Sequence, residues 1–160
     1  MKCRSSAAVL VLAVLGASAP AAAQHQVPFH GVFEGDYTVT PILGTATATL
    51  VVSASGHGSQ IGAFELEIPH VVNFATASAT GSYHFTAANG DLVDGVFIGH
   101  ATPIGTDGRY AMLVEEVTIT GGTGRFAGAT GSFTAVRWID RVNRLTIGYY
   151  DGSISNRRGR

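Results

Sequence analysis

The chain has 160 residues, the length of one domain, with 10 basic and 11 acidic residues. Setting aside Lys2 and Arg4 leaves 8 basic against 11 acidic residues, a balance of −3 that excludes general binding to nucleic acid, which needs a basic surface to displace counterions. The one cysteine, Cys3, lies before the first apolar run, so a chain starting after that run has no thiol and must be held by a hydrophobic core.

Residues 1–23 read as an export signal. Lys2 and Arg4 give a positive start, Ala7 to Leu15 is an apolar run too short to span a bilayer, and Ala21-Ala22-Ala23 is a small-residue cleavage site. The expectation is a secreted or periplasmic protein whose single domain covers 24–160, about 137 residues, with no further membrane span. The basic tail Arg157-Arg158-Gly159-Arg160 reads as a solvated terminus.

From Phe29 onward no stretch holds a helical period, and apolar residues alternate instead. Phe29, Gly31, Phe33, Gly35, Tyr37 and Val39 share one face of a first strand over 29–40. The second covers 45–55, and Gly56-His57-Gly58 reads as a turn. The third, over 60–68, sets Phe64, Leu66 and Ile68 against Glu65 and Glu67, and Pro69 is expected to end it. Residues 70–76 show no regular pattern. A fourth strand over 77–87 leads through Asn89-Gly90, a tight-hairpin signal, into a fifth over 92–102. Asp107-Gly108 then introduces a sixth over 109–120, and strands over 132–140 and 144–155 complete the set.

Eight strands joined by short turns predict an all-β, eight-stranded antiparallel β-barrel, closed so that no sheet edge is left open. A two-sheet sandwich is the competing architecture. Glycines within strands (Gly35, Gly62, Gly81, Gly95, Gly99, Gly148) read as bends or bulges of a small, tightly curved barrel.

After Thr118-Ile119-Thr120 comes Gly121-Gly122-Thr123-Gly124-Arg125-Phe126-Ala127-Gly128-Ala129-Thr130-Gly131. Gly122, Gly124 and Ala127 match the spacing of a dinucleotide fingerprint, but a strand follows where a helix must hold the pyrophosphate. The segment resembles the glycine motif of the dirigent and allene oxide cyclase barrels. It is most similar to a group of exported bacterial proteins carrying the same glycine-rich string, which the 87–91 turn also fits. The resemblance is specific over 118–133 and one of pattern only before residue 80. It implies a barrel with an internal cavity, as used by dirigent proteins to guide phenoxy-radical coupling and by the cyclases to close a ring on a fatty-acid epoxide. It carries no catalytic residue to a position of this chain.

The residues themselves suggest one internal site. Ala111, Leu113, Glu115, Val117 and Ile119 share a face, as do Phe133, Ala135, Arg137 and Ile139. If the 121–131 loop closes symmetrically about Phe126, Glu115 lies opposite Arg137 with apolar residues paired on either side. An inward Glu115–Arg137 pair is therefore expected. It would act either as a polar anchor, with Arg137 set for a ligand's carboxylate or enolate, or as a satisfied structural pair.

Other polar residues carry less. The six histidines form no H-x-x-x-H or H-E-x-x-H pattern, so no metal site is expected. His84, between Tyr83 and Phe85, reads as half-buried and His57 as exposed. Glu34 with Asp36, and Glu65 with Glu67, point away from the apolar faces of their strands, toward solvent. Trp138, Tyr149 and Tyr150 could line a ligand surface, although aromatics at strand ends usually serve packing. With no nucleophile-elbow motif and no mature cysteine, familiar acyl-transfer enzymes lose support. The expected function is binding of an apolar or aromatic small molecule or a surface partner, without a cofactor, in a chain that could form a homo-oligomer. The alternative is a cofactor-free isomerase, cyclase or stereochemical guide acting in the barrel.

Overall fold

The computed structural model describes residues 25–155. The expected export segment, 1–23, and the basic tail, 157–160, lie outside the described residues. Eight strands follow in order: β1 (Gln26–Pro41), β2 (Thr47–Gly58), β3 (Gly62–Asn73), β4 (Ser78–Ala87), β5 (Leu92–Ile104), β6 (Tyr110–Gly122), β7 (Gly131–Asp140) and β8 (Leu145–Ser155). Every neighbouring pair is antiparallel, and β1 closes the sheet on β8, with Phe33 opposite Gly148. The protein is thus a closed eight-stranded barrel and not a sandwich.

Alternation does the sorting. Phe29, Phe33 and Tyr37 of β1 are buried while His30, Glu34 and Asp36 are exposed. One half of the interior is filled by the rings of Phe29, Phe64, Phe85, Phe133 and Tyr150, with neighbouring centroids 4.9–6.1 Å apart. Edge-on and tilted pairs of this kind add to the gain from burial itself.

Three local expectations are corrected. Gly56-His57-Gly58 is strand and not turn: β2 runs on to Gly58, with His57 opposite Val32 on one side and Ala63 on the other. Pro69 does not end its strand: β3 runs on to Asn73, and the burial alternation continues through Ile68 and His70. Pro69 stays opposite Val51 on β2, but the β4 ladder skips from Glu67↔His84 to His70↔Gly81. The missing proline N–H falls in that interruption, and the register is the same on both sides. His84 is exposed, not half-buried, and its Nδ1 lies 2.7 Å from Asp94 Oδ1.

The glycine-rich loop is a plug. A short 3-10 turn, Gly124–Phe126, buries Phe126 and leads on to buried Ala129. Arg125 donates from Nη2 to Ile61 O (3.0 Å), and the Leu92 amide donates to Thr123 Oγ1 (3.0 Å). Gly124 has φ +55°, a left-handed conformation that glycine takes without strain, and lies close against the Asp91 carboxylate of the β4–β5 turn. Three connections are thereby tied together over the aromatic end of the barrel.

Candidate functional site

Glu115 on β6 and Arg137 on β7 meet inside the barrel at 0% and 1% exposure. Their register differs from the expected one. Arg137 lies opposite Leu113, and Glu115 opposite Ala135. The pairing is displaced by two residues because the loop does not close as a simple hairpin about Phe126. Its ends are held by neighbouring strands: the Thr123 amide donates to Leu92 O, and the Ser155 amide donates to Thr130 O. A two-residue displacement keeps every side chain on its face. Arg137 therefore reaches Glu115 along the diagonal of the same inward face, a route open to long side chains.

The contact is bidentate. Arg137 Nε donates to Glu115 Oε2 at 2.9 Å, and Nη2 donates to Oε1. Tyr83 of β4, fully buried, donates its hydroxyl to Glu115 Oε2. His70 of β3 is buried nearby, its Nδ1 2.8 Å from Ile68 O and its ring 5.8 Å from that of Phe97. Burial, and then the Glu115 charge, push the Tyr83 hydroxyl well above its usual pKa, so it stays protonated and donates. Burial is the largest single influence on Arg137 and opposes its charge, but the attraction and hydrogen bonding of Glu115, together with the contribution of Tyr83, hold the guanidinium above its ordinary value. Burial and the Arg137 charge together lower His70. An ionised pair, a neutral phenol and a histidine disposed to neutrality thus share one apolar interior.

Each of the four polar side chains has a glycine as its cross-strand partner: Glu115↔Gly99, Arg137↔Gly148, His70↔Gly81 and Tyr83↔Gly95. A Cβ on Gly99 would come within 2.8 Å of Glu115 Cγ, and one on Gly148 within 2.9 Å of Arg137 Cγ. These glycines give up interior volume to the polar residues, a role beyond the bending expected of them. Tyr83 and His70 were not foreseen as members of the site. The signal available was a glycine on each of several strands at inward positions, readable only with the register in hand.

The site lies toward the barrel end opposite the plug: His70 and Arg137 are each three residues from the ends of their strands. On the connections at that end Leu43, Phe74 and Val142 stand exposed, whereas Ile61 and Phe126 at the other end are buried. Three open depressions of about 670, 470 and 570 Å³ lie along the wall, and neither Glu115 nor Arg137 lines any of them. Among the described residues no group of three or more His, Cys, Asp or Glu is placed to hold a metal.

No protein-family model and no curated protein sequence matches the chain. Among solved structures, that of the pterocarpan synthase dirigent protein GePTS1 superposes with a TM-score of 0.56 over 86% of this chain and 88% of that one, at 13% identity. The fold is a dirigent-like barrel. At that identity the likeness is one of backbone alone, and the dirigent-like barrel here carries its own interior set of Tyr83, Glu115, Arg137 and His70.

Proposed function

We propose that this dirigent-like barrel is an exported binding protein for a small apolar or aromatic molecule, with Arg137 as the anchor for an anionic group such as a carboxylate or enolate. One observation carries the reading: a fully buried ion pair with a phenol donor, set beside His70 in a mostly apolar interior. Desolvating two charges costs several kcal/mol each, so such a pair is a weak stabiliser but a common feature of sites. Leu43, Phe74 and Val142 expose apolar side chains on the connections at the nearer end, in keeping with an apolar ligand. Export rests on the pattern of residues 1–23, and kinship with exported bacterial barrels on the 121–131 string. At 13% identity the shared fold brings no reaction over from the dirigent protein.

Complete burial favours a second reading, in which the network is structural only. Native mass spectrometry of the protein from its own host separates the two. The binding reading expects a retained small molecule that is lost in a folded Glu115→Gln/Arg137→Met variant. Ligand retention unchanged in that variant, or no ligand from any preparation, leaves the structural reading.

A further inference from the structure

We infer that the rim of the barrel opposite the plug is a docking surface for a bilayer containing anionic lipids, on which the protein rests without crossing it. Four connections form this rim: 42–46, 74–77, 105–109 and 141–144. Three of them hold a large apolar side chain out to solvent, Leu43 at 94%, Val142 at 69% and Phe74 at 59% exposure. Single exposed apolar residues are ordinary, but a group gathered at one end marks an interaction surface.

Hydrogen bonds tie the rim together. The Phe74 amide donates to Ala46 O (2.8 Å), the Tyr37 amide to Arg144 O (3.0 Å), the Arg141 amide to Arg109 O (2.9 Å) and the Ala101 amide to Ala77 O (2.8 Å). The apolar tips are thus presented together at one end of the barrel. Behind them come residues suited to the boundary between lipid and water. Tyr110 opens β6, Trp138 lies two residues from the end of β7, and both are exposed in part. Such rings, apolar at one end and wet at the other, settle among headgroups.

Charge selects the occupant. Arg109, Arg141 and Arg144 stand on this rim. Arg109 is paired with Asp140 at 2.7 Å, while Arg141 and Arg144 have no carboxylate in ion-pair contact among the described residues. Asp107 is the one acid on these connections. The outward faces of the strands carry acids, Glu34, Asp36, Glu65, Glu67 and Glu116 among them, and neither arginine nor lysine. A molecule so divided turns its arginine end toward an anionic surface and its acidic walls away. Apolar tips entering the headgroup layer and arginines meeting phosphates then reinforce one another. Docking of this kind needs no ligand inside the barrel, and retention of a ligand needs no docking.

The test is binding of the protein, purified from its own host, to phosphatidylcholine vesicles with and without phosphatidylglycerol. It is read by co-sedimentation and by the emission of Trp138, the only tryptophan. Co-sedimentation with the phosphatidylglycerol vesicles and a blue shift of Trp138 are expected, with weaker binding to phosphatidylcholine alone. Leu43→Asp/Val142→Asp, at exposed positions where substitution leaves the fold intact, is expected to bind at least about tenfold more weakly. Ile98→Asp, at a position on the wall as exposed as Val142, is expected to bind like the unsubstituted protein. No binding to either vesicle overturns the proposal and leaves the rim to a protein partner. Binding unchanged in the rim variant also overturns it and places the contact elsewhere, residues 1–23 included. Equal binding with and without phosphatidylglycerol overturns the role given to the arginines.

Discussion

Removing the Arg137 guanidinium alone leaves Glu115 as an uncompensated buried charge. The Arg137→Met variant is therefore expected to lose about 3–5 kcal/mol of stability in urea unfolding. Glu115→Gln/Arg137→Met, which removes both charges, is expected to recover most of that loss. A double variant no more stable than the single one would show that the pair is not the source of the cost. His70 makes a separate prediction. Its folded pKa is lowered, by burial and by Arg137, so the unfolded chain binds the proton more readily. Above about pH 6.5 the imidazole is neutral in both states and the stability is complete. As pH falls below that value the unfolded state gains the proton first, and stability drops by up to ~1.4 kcal/mol per pH unit until the folded pKa is passed. His70→Gln is expected to flatten this slope in melting curves taken between pH 7 and 5. An unaltered slope would assign it to other groups.

The strands and the loop act through close approach. A methyl group at Gly148 would press on Val136 O at 2.8 Å as well as on Arg137 Cγ. Backbone cannot yield as a side-chain tip can, so Gly148→Ala is expected to cost about 1–3 kcal/mol. Gly62→Ala is also destabilising but by another route, because Gly62 has φ +75° with open space around its Cβ position. The glycine-rich loop is judged by its plug. Phe126→Ala empties a buried ring site and is expected to cost about 3–5 kcal/mol, read by urea unfolding. A cost near zero would mean that the loop caps nothing. Pro69 shows how an element tolerates a local exception: the strand continues because only the β4 side of the ladder is interrupted there.

At the scale of the whole barrel, closure leaves no open sheet edge and divides the molecule by direction. The interior has an aromatic half beneath the plug and a polar site toward the other end. The exterior has apolar tips and arginines at one rim and acids along its walls. Strand number, inward faces and the presence of Glu115 and Arg137 on those faces were legible in the chain, because a period of two is a local property of each strand. Their union within one closed interior was not local. It needed the β6–β7 register, which the neighbouring strands set by holding Thr123 and Thr130, and which moved Arg137 opposite Leu113. Tyr83 and His70 joined the site for the same reason: they come from strands distant in sequence, and closure alone brings them to Glu115 and Arg137. The apolar rim is likewise a tertiary result. Leu43, early in the described chain, and Val142, late in it, stand on neighbouring connections only because β1 pairs with β8. Alternation, being a matter of adjacent residues, is written in the sequence, whereas the meeting of distant faces waits on how the sheet curls and in which register it closes.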